Sequence, residues 1–117
     1  MSKRYWKLLV EDILECIDKI TNYVEDMSCE DFEKDSKTVD AVVRNLEIIG
    51  EASNHIPEDI QEKHESIDWR GIIGLRNRVA HVYFGIDLLT IWDIIQNEVP
   101  KLRNQMVQIL EESSYET

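Results

Sequence analysis

The chain has 117 residues, with 24 Asp and Glu against 13 Lys and Arg, a formal net charge of −11. That length suits a single domain, 1–117, and 43% hydrophobic residues is too apolar for a disordered chain. Four Gly and two Pro argue against an all-β fold stitched by tight turns, and the acidity argues against a general binder of nucleic acid or anionic lipid.

In chain order, the basic start Met1-Ser2-Lys3-Arg4 leads into a segment broken by Lys7, Glu11 and Asp12, so no export signal is expected. No apolar run is long enough to span a membrane, and a cytoplasmic location is expected. Trp6, Leu9, Ile13, Cys16, Ile20, Tyr23 and Met27, spaced alternately 3 and 4 apart, predict a first amphipathic helix. Cys16 falls on its apolar face and reads as a small buried hydrophobe; with Cys29 it makes neither a disulfide framework nor a zinc pattern.

A second helix is predicted through Val39, Val42, Leu46, Ile49, Ser53 and Ile56, capped by Asp35 or Ser36 and ended by Pro57. Its Ala41, Asn45, Ile48 and Ala52 lie nearly opposite that stripe, so a second face is expected to be covered by the terminal helix or by a second copy of the chain. A short helix should follow from Pro57, at its first position, to His64. Asp68 can cap another, from Trp69 to His81 or Tyr83, closing near Gly85. Asp87 caps the last, with Leu88, Trp92, Ile95, Val99, Leu102, Met106 and Ile109 on one face. Pro100 should kink or split it near Asn97. Ser113–Thr117 should fray. The fold class is all-α, an antiparallel up-and-down bundle of four to five helices.

Trp69–Ile86 holds Arg70, Arg76, Arg78 and His81 and no Asp or Glu, so a +3 island sits in a body of −14. On a straight helix Asn77 and His81 are surface neighbours, whereas Arg76 and His81 lie about 140° apart. For both to serve one site, the helix must unwind near His81 or the site must form against a second surface. The plainer alternatives are an Arg76 guanidinium, partly buried, paired with Glu47 or Glu51, and a His81 left exposed at a helix end. The three His lack ligand spacing for a metal, no phosphate-binding glycine loop occurs, and no cofactor is expected. What remains is metal-free acid–base work on a phosphodiester. RNA brings its own 2′-OH nucleophile; His can act as acid or base, and Arg binds phosphate through two parallel hydrogen bonds. One His cannot fill both roles at once, but two across a molecular two-fold can, which favours a homodimer.

Arg76-Asn77-Arg78-Val79-Ala80-His81-Val82-Tyr83 matches the Arg-x-x-x-x-His-x-Tyr motif of HepT-like proteins, a branch of the HEPN superfamily. Val43–Ala52 resembles that family's second-helix signature, and Trp69–Asn77 and Tyr83–Asp87 flank the motif as in its members, so the resemblance covers essentially the whole chain. It implies a HEPN-like helical bundle, a homodimer whose two motifs line one cleft, and a metal-independent endoribonuclease. It further implies a prokaryotic toxin neutralised by an MNT-type nucleotidyltransferase antitoxin. By position, Arg76 and His81 would be catalytic, Asn77 would support them, and Tyr83 would carry the AMP that the antitoxin adds. Arg78 and Arg70 are expected to hold the RNA substrate. The alternative is a non-enzymatic module that binds nucleotide or partners a nucleotidyltransferase; a third is a purely structural helical dimer.

Overall fold

α1 (Lys3–Tyr23) forms because its apolar residues recur at helical period, and the predicted stripe is buried from Trp6 to Ile20, flanked by buried Val10 and Ile17. Cys16 lies in that stripe, and burial pushes its thiol pKa up. The stripe runs out sooner than its spacing predicts: Tyr23 is 40% exposed, and half-buried Met27 lies beyond the helix. The helix is stopped at Asp26, whose φ of 64° is left-handed, a conformation that Asp tolerates better than most residues. The computed structural model describes residues 3–84 and 87–113.

The turn leads into a helix that the stripe analysis does not anticipate, α2 (Cys29–Lys34). A capping box starts it: Ser28 accepts from the Asp31 N–H at 3.0 Å, and Asp31 accepts from the Ser28 N–H at 3.1 Å. Its purpose in the fold is Phe32, fully buried with its ring 5.4 Å from that of Trp92. Asp35 then closes α2 and opens α3 (Ser36–Asn54): its N–H donates to the Phe32 carbonyl, and its carboxylate accepts from the Thr38 N–H and hydroxyl. Those hydrogen bonds hold the Asp35 carboxyl below the usual range.

α3 is the central element. Val39, Val42, Leu46, Ile49 and Ser53 are buried as spaced, and α3 packs against α1 on one side and α5 and α6 on another. Its second face is covered mainly by α1 rather than by the terminal helix, which packs on α1. Ala52 and Asn45 are buried there, Asn45 donating 2.8 Å to the Ala41 carbonyl, while Ile48 stays 37% exposed. α4 (Glu58–Lys63) is the predicted short helix, with Pro57 as its N-cap, one place earlier than expected. The Gln61 amide donates to the Ile56 carbonyl at 2.9 Å, satisfying an acceptor left over beyond the end of α3.

Asp68 caps the next helix, accepting 3.0 Å from the Gly71 N–H, and the Trp69 indole N–H donates to the His64 carbonyl. The expected single helix from Trp69 is divided at Gly74 into α5 (Trp69–Ile73) and α6 (Leu75–Phe84). Two glycines in four residues weaken the helix here. Opposite the break, Gly50 of α3 comes so close that a methyl group there would lie 3.0 Å from the Arg76 nitrogen and 3.2 Å from the Ile73 oxygen. Only glycine permits that approach without a shift of backbone.

Asp87 caps α7 (Leu88–Asp93) by accepting from the Thr90 N–H and hydroxyl. The disruption expected from Pro100 is a π turn, Ile94–Glu98, in which the Val99 N–H reaches back to the Ile94 carbonyl. Pro100 cannot donate and would crowd the carbonyl four residues back, and one widened turn relieves both faults without breaking the rod into α8 (Val99–Ser113). Ser113, expected to fray, is buried and helical, its hydroxyl donating 2.9 Å to the Leu110 carbonyl. The predicted closure at Gly85 and the tail from Ser114 to Thr117 lie outside the described residues.

The protein is therefore all-α, with no strand among the described residues. As rods, α1, α3, α5–α6 and α7–π–α8 are the four longer predicted helices, α4 is the predicted short one, and α2 is the addition. No described helix is long and apolar enough to cross a membrane.

Candidate nucleic-acid site on the basic helix

Among the described residues of α6, Leu75 and Val79, one turn apart, are buried. That pair sits where the helix packs on α3, and Tyr83 is also partly buried against the core. The helix is regular through Phe84, so it does not unwind at His81. The break lies instead at Gly74, before the motif, and cannot bring Arg76 and His81 together.

The motif residues therefore divide between flanks. Arg76 and Tyr83, seven residues apart, share the flank that meets the exposed edge of α3. Arg76 places Nη1 3.0 Å from Glu51 Oε2, with the guanidinium 64% exposed. This is the acid partner expected from the sequence, at the surface rather than partly buried. The same Glu51 lies 3.4 Å from His55 Nε2 through its other oxygen. The Tyr83 hydroxyl donates to Asp40 Oδ1. α3 and α6 run antiparallel, because the early residue Asp40 meets the late Tyr83 and the late Glu51 meets the early Arg76.

Asn77 and His81 are both exposed and share the opposite flank, one turn apart. Arg78 occupies a third flank, one of its nitrogens lying 2.7 Å from both carboxylate oxygens of Glu98 on the π turn. Arg70 is exposed on α5, before the Gly74 break, beside a shallow hollow that also presents Glu62, Glu65 and Asp68. One helix thus displays Arg76, Asn77, Arg78, His81 and Tyr83, with His81 next to both Asn77 and Arg78, but a single chain leaves Arg76 and His81 on different flanks. Among the described residues, no three His, Cys, Asp or Glu side chains group to hold a metal ion.

The electrostatics of the Tyr83 flank are set by Asp40. Its hydrogen bond, its negative charge and some loss of solvent together raise the Tyr83 pKa above the ordinary phenol value. Sequence reasoning missed Asp40 and Glu98 as partners of the island. A signal for Asp40 exists: Asp40, Glu47 and Glu51 are spaced 7 and 4, one acidic line along a helix whose apolar stripe faces elsewhere.

Known proteins resemble the chain closely. A protein named as a proposed RNase in Methanocaldococcus jannaschii is 39% identical over 112 residues, 96% of this chain and 93% of its own length. One named as a probable ribonuclease HepT in Thermococcus cleftensis is 39% identical over 107 residues, covering 92% of this chain and 97% of its own. A proposed RNase of Caldanaerobacter subterraneus subsp. tengcongensis is 40% identical over 102 residues, 87% of this chain and 91% of the relative. No solved structure is a significant match. The family model described as ribonuclease HepT-like matches residues 13–109, a span that contains α3, the Gly74 break and all of α6. On that match and those relatives, the chain belongs to the HepT-like ribonuclease family.

Proposed function

We propose that the chain is a metal-independent endoribonuclease acting as the toxin of a prokaryotic toxin–antitoxin pair. In this reading His81 of one protomer takes the proton of the RNA 2′-OH, and His81 of a second protomer gives one to the departing 5′-oxygen. Arg76 binds and orients the phosphate, Asn77 supports it by hydrogen bonding, and Arg78 and Arg70 hold the flanking strand. The observation that carries the reading is the continuity of α6. Arg76 and His81 are both exposed on one regular helix, about 140° apart, so a cleft that uses both needs a second surface. A homodimer pairing two copies of α6 supplies it, along with the second histidine. Purified protein in EDTA should cleave RNA, and His81→Ala should stop it; equal cleavage by the variant would sink this mechanism.

Control belongs to an MNT-type nucleotidyltransferase antitoxin that transfers AMP to Tyr83. The position makes chemical sense: Tyr83 shares a flank with Arg76, and an adenylate there adds bulk and negative charge beside a guanidinium meant for phosphate. Intact mass after co-expression with the neighbouring nucleotidyltransferase gene should rise by whole adenylates, and Tyr83→Phe should abolish the rise.

A second reading has one observation in its favour. Arg76 and Arg78 each already face a carboxylate, Glu51 and Glu98, which lowers the free cationic charge available to RNA. Under it the chain is a non-enzymatic nucleotide-binding or substrate-binding partner of a nucleotidyltransferase. It predicts ATP or AMP affinity that falls on changing Arg76 or Tyr83, with no RNA cleavage by the wild type.

A further inference from the structure

The Tyr83 hydroxyl and the Asp40 carboxylate meet across 43 residues of sequence, at the solvent edge where α6 lies on α3. A hydroxyl nucleophile hydrogen-bonded to a base is the arrangement that oxygen-directed group transfer requires. We propose that Asp40 is the general base for nucleotidyl transfer to Tyr83, so that this chain supplies half the catalytic chemistry of its own modification. The inference rests on Tyr83 being the modified residue, and names what makes that hydroxyl reactive.

Several features converge on it. The phenol points at Asp40 Oδ1 and donates its proton there. Asp40 is exposed and Tyr83 half-buried, which leaves the pair open to a partner enzyme while its backbone is held on two packed helices. Free phenoxide is scarce at neutral pH, and the Asp40 hydrogen bond and charge raise the Tyr83 pKa further. A proton that leaves as the new bond forms avoids that scarcity, and the hydrogen bond already places its acceptor, Asp40 Oδ1.

The step balances as follows. The Tyr83 oxygen attacks the α-phosphorus of a nucleoside triphosphate, forming an O–P bond as its proton passes to Asp40 Oδ1. The bond from that phosphorus to the bridging oxygen breaks, and pyrophosphate leaves with the electron pair. Asp40 then returns the proton to water. Neither oxidant nor reductant is involved. The Asp40 side chain never touches phosphorus; its role is the proton of the nucleophile.

Asp40→Asn tests this, because the amide oxygen can still accept the Tyr83 hydrogen bond but is far too weak a base to take the proton. The full chain is incubated with purified nucleotidyltransferase and Mg-ATP, and adenylate gain is followed by intact mass from about pH 6 to 9, below the ordinary phenol pKa. The wild-type rate should be flat over that range. The Asn variant should be about 100-fold slower near neutrality. Its rate should rise about tenfold per pH unit as phenoxide accumulates. Equal rates, or a loss with the same flat profile, would overturn the proposal, the second because it indicates placement alone.

A partner-free arm separates failure here from failure of the adenylylation reading. N-acetylimidazole acylates phenols directly, and peptide mapping compares Tyr83 with Tyr5 and Tyr23, exposed on α1. Faster acylation of Tyr83 near neutrality, lost in Asp40→Asn, supports the pair even if no adenylate is gained. Equal reactivity of Tyr83 in both proteins counts against it. Matching thermal unfolding of the two proteins shows that the substitution leaves the fold intact.

Discussion

α1 and α6 are built on opposite plans. α1 buries a wide stripe, with Val10, Ile13, Ile17 and Ile20 completely removed from solvent, and its polar residues face outward. α6 buries Leu75 and Val79 and, between and beyond them, carries exposed Arg76, Asn77, Arg78 and His81 and half-buried Tyr83. The first helix turns one wide face to the core; the second packs on α3 and α7 and still displays polar chemistry on three flanks. A helix designed for stability alone would not look like α6, and that mismatch is itself a reason to look for function there.

The sharpest way to break the comparison is to exchange their sensitivities. His81→Ala should cost RNA cleavage about 10²–10⁴-fold, the range for a lost general acid or base. It should shift stability by no more than about 0.5 kcal/mol, as for an exposed side chain outside any packed contact. Cleavage assays beside thermal melts read both; a large loss of stability would mean that α6 is a core helix after all. Ile17→Ala should do the reverse, destabilising by about 2–5 kcal/mol through a cavity at a fully buried site. Chemical denaturation checks it, and a loss under 1 kcal/mol would show that α1 is not the packing element described.

Gly50→Ala joins the two regions. Its methyl would press on the backbone of Ile73 and Arg76, so a destabilisation of about 1–3 kcal/mol is expected, as for overpacking. An unchanged melting temperature would mean that α3 and α6 separate easily. Ser28→Ala removes the capping box of α2 and should cost about 1 kcal/mol. The smallest effect is at Asp35, whose pKa is lowered in the folded state. A lowered carboxyl contributes stability above its unfolded value, near about 4, and loses it as pH falls through the folded value. The melting temperature of the wild type should therefore drop toward that of Asp35→Asn under acid, and a constant gap at all pH values would contradict it.

What could be read beforehand follows the same division. α1, α3, α4 and the last rod were legible because a core face repeats, and periodicity is a property of the sequence itself. Pro100 announced a disruption near Asn97, because its missing donor is a local fact, but not that it would take the form of a π turn. α2 was obscured because the α1 spacing runs on through Tyr23 to Met27, past the real end, although Ser28 and Asp31 carry the capping pattern. The division at Gly74 depends on the approach of Gly50, 24 residues away, which no local pattern reports. Among the island residues, Glu51 was a recognisable partner for Arg76, since helix pairing and opposite charge suggest it. Asp40 was harder to reach: its acidic line with Glu47 and Glu51 is in the sequence, but Tyr83 reads as an amphipathic helix end until α3 is laid beside it.

The contact between Arg76 and Glu51 also sets a threshold for whatever uses that arginine. Glu51, carried on the same chain, competes for the guanidinium, at a strength of no more than about 1 kcal/mol for a pair this exposed. A dilute single phosphate gains little by displacing it. A strand that offers several phosphates at once can recover the loss over its other contacts. Under the ribonuclease reading proposed above, the exposed pair would then weigh against single nucleotides more than against a strand.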